Sequence, residues 1–229
     1  MSFANLVSAL RQCKQGQGDL ENVPSMFWVP GTWGQAFFLE MTRFHWTAIR
    51  HMPVEEITFD IAEEAVRQDS NALEFLPYEY RTRDICETAI SHIDTSMEIG
   101  KINYLLSLIP QEFFEDLLID WIEHGNYFSF SMIPPHRLSN QFTVEAVRIR
   151  PLLIEEVLNE RHTPEMLVAF LTGGDEDLFL VDVKLKSRSR SLCIACLKEG
   201  RGPSSAVPAS LWDDEMREIF AQVGDCHGS

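Results

Sequence analysis

The chain is poor in cysteine, poor in basic residues and without a long apolar run. Its five cysteines, Cys13, Cys86, Cys193, Cys196 and Cys226, are odd in number and scattered. That is no disulfide framework, and it points to a reducing cytoplasm, of the chain's own cell or of a host. No stretch reaches the ~18 apolar residues of a membrane span, and Met1–Gly18 lacks a basic-then-apolar leader pattern, so no membrane association is expected. Lys and Arg number 19 against 35 Asp and Glu, a formal net charge of −16 over 229 residues. Such a deficit argues against direct nucleic-acid binding, where cations must neutralise phosphates.

Motifs of catalysis and metal binding are missing too. The histidines at 45, 51, 92, 124, 136, 162 and 227 form neither H-x-x-x-H nor H-E-x-x-H, and there is no G-x-S-x-G. Gly173-Gly174-Asp175 lacks the Lys-Ser/Thr of a phosphate loop. Cys193-x-x-Cys196 with Cys226-His227 could complete a zinc set. In the repeat register below, however, Cys193 takes the position of Cys86, and Cys196 that of Ala65, Ala89 and Ala146, which reads as core. No catalytic residue, metal or cofactor is expected.

What the chain does have is 45% apolar residues and a repeat. Anchors at Pro30, Pro53, Pro77, Pro110, Pro134, Leu158, Lys184 and Pro208 recur at steps of 23 to 33. One residue before the anchors stand Val29, Met52, Leu76, Ile109, Ile133, Val157, Val183 and Val207; eight after stand Phe38, Ile61, Ile85, Leu118, Phe142, Met166, Leu192 and Met216. Five after, six of eight residues are Ser, Thr or Asp, the types that cap a helix N-terminus. Each unit therefore predicts a helix of about 11–12 residues and a helix of one or two turns that the anchor ends. One hairpin cannot bury its apolar face; stacked hairpins can. The expected fold is all-α, a single α-solenoid domain of about eight short helix-turn-helix repeats over residues 27–223. A cap helix at Phe3–Lys14 precedes it, within residues 1–26, and a frayed tail follows at 224–229. The 33-residue unit has an excess near residues 93–101, readable as a surface loop or as a longer second helix. Leu178–Lys186 and Ser191–Lys198 look like a β-hairpin by composition, but the register makes the second run a helix.

The stretch Pro53-Val54-Glu55-Glu56-Ile57-Thr58 through Asn71-Ala72-Leu73-Glu74-Phe75-Leu76-Pro77 resembles a family of short helical-hairpin repeats, a bacterial domain of unknown function. The resemblance covers residues 53–90 and 134–150. It departs at Ser70, where the family has a turn glycine. Such repeats occur in secreted effector proteins and in some large viruses and protists. The resemblance implies a helical-repeat fold and an effector-, inhibitor- or immunity-type setting, without a chemistry.

The charge is local. Residues 51–100 hold twelve acids against three bases, a net of −9. Glu55, Glu56, Asp60, Glu63, Glu64, Asp69 and Glu74 form the candidate strip for a partner protein with a basic surface. The first repeat is rich in aromatics, and Trp28, Trp33 and Trp46 are candidate anchors, unless they pack beneath the cap. The expected function is a non-catalytic protein–protein interaction module. Two other classes stay open: an acidic mimic of nucleic acid that inhibits a DNA- or RNA-binding protein, and an enzyme whose site only the fold assembles.

Overall fold

The computed structural model describes residues 31, 35–93, 97–174 and 179–226. Among them the chain is all-α: nine α-helices, most of them separated by short 3-10 segments, and no strand. The helices are α1 (Gln35–Phe44), α2 (Phe59–Gln68), α3 (Arg83–Ser91), α4 (Ile99–Ser107), α5 (Gln111–Glu123), α6 (Asn140–Ile149), α7 (Pro164–Thr172), α8 (Arg190–Lys198) and α9 (Asp214–Cys226). The expected cap helix at Phe3–Lys14, Trp28, Trp33 and residues 227–229 lie outside the described residues.

The capping column works as its chemistry predicts at five of its six Ser, Thr or Asp positions; Thr82 stands at the N-cap of α3 without a side-chain bond. The side chains of Thr58, Ser139, Thr163, Ser189 and Asp213 accept the backbone N–H of the residue three further on, at 2.9–3.4 Å. Those donors, Ile61, Phe142, Met166, Leu192 and Met216, belong to the apolar column eight past the anchor. With Phe38, Ile85 and Leu118, every member of that column is buried. Each burial contributes about 1.5–3 kcal/mol, so one bond fixes both where a helix starts and which face it turns inward.

The second element of most repeats is tighter than expected. It is a 3-10 segment of three to six residues, such as Ser70–Phe75 or Leu180–Asp182, and a further three-residue 3-10 turn follows most anchors. Segments this short close with i→i+3 bonds. The anchor holds one backbone shape: φ is −59° at Pro53, −54° at Pro77 and −54° at Pro208. Leu158 and Lys184 reproduce it at −59° and −56° without the ring. The repeat at Pro110 is the exception. Its capping position holds Glu115, and α5 begins directly at Gln111, so Glu115 falls inside the helix.

The chain forms two compact units, 1–117 and 118–229. In the first, α1 packs on α2 and α2 on α3, while Trp46–Arg50 packs on Ser70–Phe75 behind them. Helix α4 also lies on Ser70–Phe75, so residues 99–107 are a longer second helix in the place where other repeats have a 3-10 segment. In the second unit α6, α7, α8 and α9 pack in chain order, and so do Phe130–Met132, Pro151–Glu156 and Leu185–Ser187. The strand-like run Ser191–Lys198 is helical, within α8.

Candidate functional site

The seven strip acids divide by what holds them. Glu56 Oε1 accepts the Gly31 amide at 2.6 Å. Asp69 Oδ1 caps the segment that follows, accepting the Asn71 amide at 2.9 Å. Glu74 accepts the Tyr104 hydroxyl, a bond that raises the tyrosine's pKa. Glu64 pairs with Arg67 at 2.6 Å and accepts Gln68 Nε2 at 2.8 Å. Burial opposes its ionisation, but the bonds from Arg67 and Gln68 and the charges of Arg67 and Arg43 prevail and hold its pKa below the ordinary value. These four are spent on the fold. Glu55, Asp60 and Glu63 are exposed, and Glu74, although bonded, is exposed as well.

The exposed acids fall in register. Asp60 and Glu63 stand seven and ten residues past Pro53; Asp84 and Glu87 stand seven and ten past Pro77. All four are exposed, on the neighbouring helices α2 and α3, and none is in an ion pair with a described residue. Asp84 and Glu87 were missed in the linear strip, although the register columns that carry Asp60 and Glu63 also carry them. Trp46 is half-buried against Phe75, ring centroids 6.4 Å apart, with the Arg50 guanidinium 4.7 Å above the same Phe75 ring, so this tryptophan is a packing residue.

The cysteines of α3 and α8 are core. Cys86, Cys193 and Cys196 are fully buried, and burial pushes their pKa values up to about 12, about 11 and about 12. Among the described residues no three His, Cys, Asp or Glu side chains converge as metal ligands.

A second surface lies in the second unit, a groove of about 540 Å³. Its apolar wall is Phe130, Ile133, Leu138, Val157, Leu158 and Met166; Glu156 and Arg161 also border it. The Glu156 carboxylate accepts Ser129 Oγ and the Phe130 amide, both at 2.7 Å. A repeat-by-repeat comparison explains the opening. Four residues past the anchor, Arg81 donates from Nε to Leu76 O (3.0 Å) and from Nη1 to Leu108 O (3.1 Å). Arg188 does the same to Val183 O (2.8 Å) and Ala206 O (2.5 Å). His162 takes a related part: Nε2 lies 3.2 Å from Val157 O, and Nδ1 lies 2.8 Å from Ser189 Oγ. A carbonyl only accepts, so in the neutral ring Nε2 carries the proton and Nδ1 accepts the serine's. In the groove's repeat the corresponding residue is Leu138, which has no donor; the Pro53 repeat also lacks one, but its Ile57 is buried in that position, whereas Leu138 is only half-buried.

Comparison of the chain with family models, curated proteins and solved structures finds no match. No helix among the described residues is long and apolar enough to cross a membrane.

Proposed function

We propose that the chain is a non-catalytic interaction module that presents the exposed acids of α2 and α3 to a basic surface of a partner protein. The observation that carries the proposal is the pairing of Asp60 and Glu63 with Asp84 and Glu87 at equivalent positions of two packed helices. Carboxylates left in water at fixed spacing cost the fold little and speed encounter with a cationic surface. The setting implied by the repeat resemblance, an effector-, inhibitor- or immunity-type binder, is compatible with such a face. A pull-down read by mass spectrometry at about 50 mM and about 300 mM salt tests it. The wild type is expected to retain a basic protein that the D60K/E63K/D84K/E87K variant loses at equal helicity, with capture weaker at high salt. Equal capture by both chains, or no reproducible partner, overturns the reading.

A further inference from the structure

We propose that the groove beside Leu138 is a slot for an arginine side chain of a basic partner protein. This rests on the reading of a basic partner but uses a different surface. The chain itself shows twice what fits. In the repeats of Arg81 and Arg188, a guanidinium spans from the carbonyl one residue before its anchor to the carbonyl two residues before the next anchor. In the groove's repeat the same span runs from Ile133 O to Glu156 O, and both residues line the groove. No backbone amide outside the helices is bonded to either carbonyl, and Leu138 stands where the arginine would. Arg161, on the same groove, is exposed and bonded to neither.

The chemistry of the slot selects a cation. Two backbone carbonyls are pure acceptors, and the Glu156 carboxylate beside them adds negative charge. A planar guanidinium reaches two separated acceptors at once, as an ammonium does not. The apolar wall suits the methylenes of an arginine stem. The unit around the groove, residues 118–229, holds 17 acids against 11 bases, a net of −6, so a cationic chain is also drawn to it from a distance.

N-acetyl-arginine amide is the probe, titrated into the full chain and read by amide chemical shifts, with N-acetyl-leucine amide as the apolar control. Expected are saturable shifts at Ile133, Val157 and their neighbours with the arginine probe alone. L138R supplies the guanidinium internally, so binding is expected to weaken about tenfold or more, with a rise in Tm. R188L opens a matching slot between Val183 O and Ala206 O and is expected to gain shifts there. Should L138R fail to fold, the wild-type titration and R188L still decide. Equal shifts from both probes, shifts elsewhere on the surface, or undiminished binding by a folded L138R overturn the slot. If the slot falls while the reversal on α2 and α3 still abolishes partner capture, only this inference is lost; if the probe binds but no partner is retained, the interaction reading falls instead.

Discussion

Cys86, Cys193 and Cys196 show how far a single residue can be read from a chain. The register already placed Cys193 at the position of Cys86 and Cys196 at that of alanines, and the structure buries all three fully. A thiol whose pKa rises from 9.0 to about 12 keeps its proton in the folded state. The unfolded chain then releases protons first as pH rises, so the stability these groups contribute is present below pH 9.0 and is lost from there toward about 12. In a chain with Cys13 and Cys226 replaced by serine, alkylation by iodoacetamide is expected to stay slow and nearly flat from about pH 7 to about pH 9, where an ordinary thiol speeds up steeply. Rapid, pH-dependent labelling of the native chain would disprove the burial. The strip acids were less legible. Glu56 is held by an amide 25 residues away, and Glu74 by a hydroxyl in α4. Such partners come from neighbouring repeats, and a linear count of carboxylates does not reveal them.

At the scale of the element, helix starts were written in the chain and the intervening geometry was not. A hydroxyl at the N-cap and an apolar residue three further on suffice to start a helix inward. Nothing in the apolar pattern separates a short α-helix from a 3-10 segment, because both put residues three apart on one side. The roles of Arg81, His162 and Arg188 are not legible in the sequence because their acceptors include backbone carbonyls, present at every residue. The anchor's fixed φ gives a direct test. Leu158 holds a proline-like φ of −59°, and Val157 before it is extended at ψ 134°. L158P is therefore expected to stabilise the chain by about 0.4–1 kcal/mol in urea melts. K184P is expected to destabilise it, because the Lys184 amide donates to Glu155 Oε1 at 2.6 Å and proline has no N–H. Equal effects of the two prolines would refute the argument.

Over the whole molecule, 35 acids against 19 bases leave the folded chain repelling itself. Seen locally, several acids are neutralised, as Asp213 and Glu215 are by Arg190 at 2.6 and 2.5 Å. The excess still dominates at range. Raising NaCl from about 10 mM to about 200 mM shortens the reach of that repulsion, so Tm is expected to rise. A fall in Tm over that interval would mean that the ion pairs outweigh the repulsion. Length and charge alone imply an acidic globule; the register implies repeats, and only the fold shows which carboxylates remain available.

The bridging side chains four residues past an anchor point one way along the chain, whereas Arg150 reaches back to Ile122 O. Arg81 reaches Leu108, His162 reaches Ser189, and Arg188 reaches Ala206, always toward the C-terminus. Synthesis runs in that direction at about 5–20 residues per second, so Arg81 waits roughly one to five seconds for the segment that receives it. Until then the repeats of Arg81 and Arg188 each end in a guanidinium half answered by its own repeat, and the successor closes it. Vectorial growth thus leaves one raw end at a time, and it passes Leu138 with nothing to hand forward.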